Sequence, residues 1–187
     1  DDSTINNDFN KDSSTNKFSS YLTGLIEGDG SIIVPKIERS KKGFLYYPSI
    51  KLAFDLRDFP LAQMIQKELG HGSLCRMKGV NAYLLQVNNK DGILFLISLL
   101  NGNMRTSKIN SLYELIDWCN LKYGLNIVKK PVDSSPIGSN SWFAGFIDAC
   151  LPEVGRKLRP EVGGSSLQST YLWSLRSCEA AKLRRRR

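Results

Sequence analysis

The sequence holds one histidine, His71, and its four cysteines (Cys75, Cys119, Cys150 and Cys178) lie far apart. A zinc finger needs close-set Cys and His ligands, and a disulfide scaffold needs a dense cysteine framework, so neither organises this chain. A reducing, intracellular compartment fits such usage. No apolar run reaches the roughly 18 residues of a membrane span. No apolar h-region follows a basic start, and there is no initiating Met, which points to a processed product or an artificial start rather than a secretory signal. What is present is 187 residues, 41% hydrophobic and 24% charged. That suffices for one medium domain or two small ones, and it is too apolar for a wholly disordered chain.

The net charge is +8, a value that invites a nucleic-acid reading. It is unevenly spread. Residues 1–20 carry two Lys against four Asp, and residues 153–187 carry nine Lys/Arg against three Glu. The excess therefore sits mostly in the last stretch.

Residues 1–17 are polar, rich in Asn, Ser and Asp, and read as a disordered lead. Ser19 or Ser20 then caps a helix in which Leu22, Leu25 and Ile26 recur at helical spacing, ended by Gly28 and Gly30. A strand over Ser31–Glu38, a basic turn over 39–43 and a strand over Phe44–Asp55 follow. Asp58 and Pro60 open a helix through Leu69, with Gly70 as its stop. Strands over Gly72–Lys78 and Ala82–Val87 flank a turn at Gly79, and helices are expected over 89–100 and 106–123. In the second of these Ile109, Leu112, Leu115, Ile116 and Cys119 form one apolar face. The pattern predicts an α+β fold, with antiparallel hairpins and helices on one face. Residues 128–140, with Pro131, Pro136 and Gly138, read as a linker, and 141–150 as the start of another helix.

That second helix repeats the first. Tyr21-Leu22-Thr23-Gly24-Leu25-Ile26-Glu27-Gly28 matches Trp142-Phe143-Ala144-Gly145-Phe146-Ile147-Asp148-Ala149 position by position: aromatic, apolar, small, Gly, apolar, Ile, acid, small. Two amphipathic helix starts agreeing by chance is the plainer alternative. Small residues four apart let helix backbones approach closely, and two such helices packed together would set their terminal acids side by side. The YLTGLIEGDG motif at 21–30 resembles the LAGLIDADG homing endonucleases, particularly the two-repeat proteins encoded in introns of fungal mitochondrial genes. Further points of likeness are Ser31-Ile32-Ile33, Leu69-Gly70-His71-Gly72, Met104-Arg105-Thr106-Ser107-Lys108 and the 130–140 linker. The resemblance implies αββαββα repeats, with 18–127 as the first, motif helices at the repeat interface, and sheets forming a saddle over double-stranded DNA. It also implies a mitochondrial location and a monomer, with a homodimer through the motif helix as the alternative for a shortened chain.

Hydrolysis of a phosphodiester requires charge neutralisation and an activated water, which carboxylate-held Mg²⁺ supplies. By resemblance the catalytic, metal-holding acid is Asp29, beside the carbonyl of Gly28, with Glu27 contributing less directly; a plain Asp-Gly turn is the structural alternative. In the second motif the position of Asp29 is Cys150, a poor ligand for a hard cation. Asp148 matches Glu27 and does not replace the acid. Nicking, or no cleavage, is therefore expected in place of a two-strand cut. An RNA-binding intron maturase is the rival reading, and an inactive remnant a third. Residues 151–187 lack strand alternation and look foreign to the family. A frame shift or artificial terminus after Ala149 accounts for them; the competing account is a genuine basic tail on phosphates.

Strand side chains alternate faces, so one face of each hairpin can read a groove. The DNA-binding candidates are Lys36, Glu38, Arg39, Lys41, Lys42, Tyr47, Ser49 and Lys51 in the first hairpin, and Arg76, Lys78, Asn81 and Gln86 in the second. Each single cation also reads as a solvated surface charge. Asp55, Arg105 and Lys108 occupy places where the family puts polar and basic pocket residues. His71 reads as structural, and Trp118 and Trp142 as packing residues.

Overall fold

A computed structural model describes residues 5–37, 39 and 42–154, so the candidates Glu38 and Lys41 and the tail beyond Val154 lie outside the described residues. The chain divides into two units, 1–149 and 150–187. The order of elements is α1 (Ile5–Asp29), β1 (Ser31–Ile33), β2 (Ser49–Asp55), α2 (Phe59–Leu69), β3 (Ser73–Arg76), β4 (Ala82–Val87), α3 (Lys90–Leu100), α4 (Ile109–Tyr123) and α5 (Trp142–Val154). The four strands form one antiparallel sheet in the order β1-β2-β4-β3, so the α+β expectation holds.

Two expectations are corrected at the start of the chain. Helix α1 begins at Ile5, so most of the segment read as a disordered lead is helical. Ser19 and Ser20 are not caps but lie within the helix. Ser20 Oγ donates to the carbonyl of Asn16 one turn back (3.0 Å), the local bond that lets a buried serine sit mid-helix. Ser19 Oγ donates instead to Leu99 O on α3 (2.5 Å), and Thr23 Oγ1 to Ser19 O (2.7 Å). Polar residues on the buried side of α1 are thus fully bonded, which hides the helix from an apolar-periodicity count.

The first hairpin is also shorter than expected. β1 stops at Ile33 and β2 starts only at Ser49, leaving 34–48 as an excursion whose one bridge among the described residues joins Arg39 to Leu45. Pro35 and Pro48 bracket it. Neither has an N–H to give to the ladder, so regular pairing ends at each.

Helices cover one face of the sheet. Ile50, Leu52 and Phe54 of β2 and Leu85 and Val87 of β4 join the core with Ile65 and Leu69 of α2, Ile93, Leu96, Ile97 and Leu100 of α3, and Leu22 and Ile26 of α1. The apolar face of α4 is buried as its spacing predicts: Leu112, Leu115, Ile116 and Cys119 are sealed from solvent. Each such Leu or Ile side chain contributes roughly 1.5–3 kcal/mol. Gly70 and Gly124 end α2 and α4 in the left-handed conformation, where a Cβ is disfavoured.

Helix α5 packs on α1 through glycine. A Cβ on Gly24 would overlap Trp142 O, and one on Gly145 would overlap Tyr21 O. The obstacles are backbone, so they cannot rotate away. Gly24→Ala is expected to cost at least about 2 kcal/mol and to lower the melting temperature by several degrees, while Gly138→Ala, with open space around it, leaves it unchanged. Equal melting curves for the two variants would refute this packing.

Candidate functional site

The site is organised by Glu27, which lies in α1 two residues before Asp29 and is 4% exposed. An ionised carboxylate loses several kcal/mol of hydration on burial unless donors replace the water. Here they do. Arg105 N donates to both oxygens at 3.0 Å, Thr106 N and Oγ1 donate to Oε1 at 2.6 and 2.7 Å, and Trp142 Nε1 donates to Oε2 at 2.5 Å. The two backbone N–H groups open the turn that feeds α4, where a negative charge is favourably placed. Glu27 therefore ties α1 to that turn and to α5. Both of its oxygens are engaged by these donors.

The same turn delivers Lys108. Its ammonium donates to Ile26 O and Gly30 O, both at 2.7 Å, on the carbonyls at the end of α1. A cation there complements the negative end of the helix. Lys108 thus braces the residues on either side of Asp29, which is itself the exposed last residue of α1. Gly28 is buried against Ala149, whose Cβ would be overlapped by a Cβ at position 28.

A reciprocal pair mirrors the Glu27 bond. Asp148, at the position matching Glu27, accepts from the phenol of Tyr21, at the position matching Trp142, at 2.8 Å. Burial first, then this hydrogen bond and the Asp148 charge, push the Tyr21 phenol upward, so it stays a donor. Each motif helix offers its opening aromatic residue to the acid of the other. Trp142, expected only to pack, is half of this exchange.

Arg105 is directed toward the linker. Its guanidinium, 9% exposed, turns to residues 133–135: Nη1 donates to Ser135 O (2.6 Å), and Nη2 to Asp133 Oδ2 (2.5 Å) and Ser135 Oγ (2.6 Å), over the Trp142 ring at 5.5 Å. It fastens the linker. Asn101 and Tyr113 fasten the same segment, through Val128 O, Lys130 N and Lys130 O. The linker is a stitched strap that fixes where α5 begins. Asp55 caps the short turn after β2 by accepting from Arg57 N and Nε at 3.1 and 3.2 Å.

The register sorts the strand candidates. Ser31, Lys51, Gln86 and Ser73 form one cross-strand row on the face turned away from the helices, and Ser49 shares that parity. Arg76 pairs with Tyr83, which pairs with Phe54, so it belongs to the helix-side face at the sheet edge, opposite the face that carries Lys51 and Gln86. Lys36, Arg39, Lys42 and Tyr47 lie on the 34–48 excursion, at the Ser49 end of β2. Lys78 and Asn81 lie in the β3–β4 turn at the Asp55 end, roughly 20 Å away along seven residues of strand. His71 sits half-buried with its Nδ1 3.2 Å from Asn89 Nδ2, in keeping with a structural role.

The chemistry of the donors suits a hard cation. Mg²⁺ binds through one or two carboxylates and completes its shell with water and phosphate oxygens. Asp29 is an exposed carboxylate at the end of α1, while the carbonyls of Ile26 and Gly30 near it are occupied by Lys108. Among the described residues no three His, Cys, Asp or Glu side chains come together to hold a metal unaided. Such a site fits Mg²⁺ only with nucleic-acid oxygens present.

A sheet with helices on one face, two glycine-packed motif helices and an acid at the helix end defines the LAGLIDADG nuclease class. The profile described as LAGLIDADG endonuclease matches residues 22–120, and the chain belongs to this family. It is 34% identical over 156 residues to the intron-encoded DNA endonuclease aI3 of Saccharomyces cerevisiae, covering 77% of this chain and 37% of that protein. To the intron-encoded RNA maturase bI4 of the same yeast it is 34% identical, over 71% of this chain and 18% of the other. The chain thus spans well under half the length of these relatives. Among solved structures, the homing endonuclease I-CvuI shares the fold with a TM-score of 0.51 at 14% identity, covering 89% of this chain and 97% of that one.

Two measurements test the brace. Trp142→Phe keeps a ring but removes the donor to Glu27, and is expected to lower stability by about 1–3 kcal/mol in urea unfolding; an unchanged midpoint would show that the bond carries nothing. Asp133 is partly buried, which alone would raise its pKa, but bonds from Ser135 and Asn140 and the Arg105 charge hold it below the ordinary carboxylate value. Its contribution is present above about pH 3.9 and is lost as pH falls through its folded value. Asp133→Asn is therefore expected to flatten the acid limb of a melting-temperature profile, and an unaltered limb would contradict it.

Proposed function

We propose that the chain is a site-specific homing endonuclease from an intron of a fungal mitochondrial gene, hydrolysing DNA phosphodiesters with Mg²⁺ and impaired by the loss of the second motif acid. The observation that carries this reading is Asp29. It is exposed at the end of a helix held by Glu27 and Lys108, at the head of the strand that begins the Ser31–Lys51–Gln86–Ser73 row.

Duplex DNA lies along the open face in this reading. Lys51 and Gln86 offer donors and acceptors to base edges, and the hairpin tips meet phosphates on either side. Asp29 and the Gly28 carbonyl would hold the metal, which would supply charge neutralisation at the scissile phosphate and help ionise an attacking water. Water adds to phosphorus, the bridging P–O bond breaks, and the leaving oxygen takes a proton. Lys108 keeps the helix end from fraying, so that Asp29 stays fixed while charge builds on the phosphate. At the equivalent place on α5 stands Cys150, which supplies no hard oxygen, so one strand is cut at most.

Cys150 also supports a second reading, an RNA-binding maturase that does not cut, which the likeness to the yeast maturase makes concrete. A supercoiled plasmid bearing the uninterrupted host-gene junction, incubated with Mg²⁺, separates the two. Nicking is expected from the natural chain and is lost in Asp29→Asn, with duplex binding retained; Cys150→Asp adds linear product. Nicking that survives Asp29→Asn would overturn the assignment, and intron-RNA binding without any nicking would favour the maturase.

A further inference from the structure

We infer that the end of the domain formed by the 34–48 excursion and the C-terminal end of α4 is a platform for unpaired bases of single-stranded RNA, distinct from the sheet face assigned to duplex DNA. It goes beyond the cleavage reading, which takes the cations of the same excursion to phosphates and gives the rings of Phe44 and Tyr46 no role.

Phe44, Tyr46 and Tyr47 are 71%, 45% and 51% exposed, three aromatic residues within four positions. Tyr47 continues inward as a ladder. Its ring meets Trp118 edge-on at 6.5 Å, Trp118 meets Tyr123 at 5.7 Å, and Lys90 Nζ lies 4.5 Å over the Tyr123 ring. The register explains why these groups share one end: Ile50 pairs with Val87, so the start of β2 and the start of α3 leave the sheet together. The excursion is basic as well, with four Lys/Arg and one Glu between 34 and 48.

Exposed rings are costly to maintain in water and gain most by stacking. In a duplex the base faces are already stacked and only edges are offered. Unpaired bases present their faces, and proteins that hold them set aromatic rings beside cations that track the backbone. The open sheet face has the opposite make-up: its central row is Ser, Lys, Gln and Ser, suited to edges and lacking any ring. The two surfaces differ in chemistry as single strands and duplexes do. A protein partner would suit the rings, but the cations beside them favour a polyanion.

The test uses the full chain and fluorescence anisotropy at one fixed salt concentration. The probes share one mixed sequence of about 15 nucleotides: single-stranded RNA, that RNA annealed to its complement, and the DNA duplex. The natural chain is expected to prefer the single strand to the annealed RNA. Phe44→Ser combined with Tyr46→Ser, both outside the core, is expected to weaken single-stranded RNA binding by about tenfold or more and to change duplex DNA binding by less than about twofold. Lys51→Ala combined with Gln86→Ala is expected to do the reverse. No preference for the single strand, no loss in the aromatic variant, or equal loss on every probe would overturn the platform. Failure of the natural chain to bind the DNA duplex, with single-strand binding intact, would count against the cleavage reading alone.

Discussion

A buried carboxylate holds this domain together at its most consequential point. Glu27 has given up water for donors from three residues that are remote in sequence, and each bond fixes a different element: Arg105 and Thr106 the entry to α4, Trp142 the start of α5. Because an unsatisfied buried carboxylate is so unfavourable, these elements come together or not at all. Lys108 follows from the same arrangement. With the turn anchored, its ammonium falls on the carbonyls at the end of α1, and the last residue of that helix becomes a fixed exposed acid. The placement of Asp29 is thus a property of the whole brace rather than of its own side chain.

The strap over 128–140 extends the same logic. It has no regular structure for most of its length, yet Asn101, Arg105 and Tyr113 each take a backbone or side-chain partner from it. Asn140 ends it by accepting from Trp142 N at 3.0 Å, so α5 starts from a defined point. Stacking of Arg105 over Trp142 links this strap to the Glu27 cluster, so one cation serves both.

Much of the fold was legible. The helical spacing in α4, the Pro-led start of α2 with its Gly70 stop, and the order of helices and strands all follow from period and punctuation. The family was legible because its motif is a close-packing device: glycine at matched places in two helices marks where their backbones must touch. What escaped notice was polar. The N-terminal part of α1 and its buried Ser19, Ser20 and Thr23 carry no apolar signature, since their satisfaction depends on Leu99, Asn103 and backbone carbonyls elsewhere. The partners of Arg105 were not legible, because sequence shows charge but not direction. The face of Arg76 was not legible because β3 is only four residues long, and its parity is set by pairing with β4. The exchange of Trp142 with Glu27 and of Tyr21 with Asp148 was present in the aligned motifs, as an aromatic residue six positions ahead of an acid. Only packing shows that the partners cross over.

The glycines of the motif helices carry an implication for how this family can change. Where Gly24 meets Trp142 O and Gly145 meets Tyr21 O, the neighbour is main chain in both cases. An enlarged side chain at one position cannot be accommodated by a smaller one at the other, since a carbonyl is common to every amino acid. Relief requires the helices to slide or part, and that movement would pull Trp142 from Glu27 and Tyr21 from Asp148 together. The two positions are therefore locked without being able to compensate each other, and sequence drift at this joint is confined to the residues around the glycines.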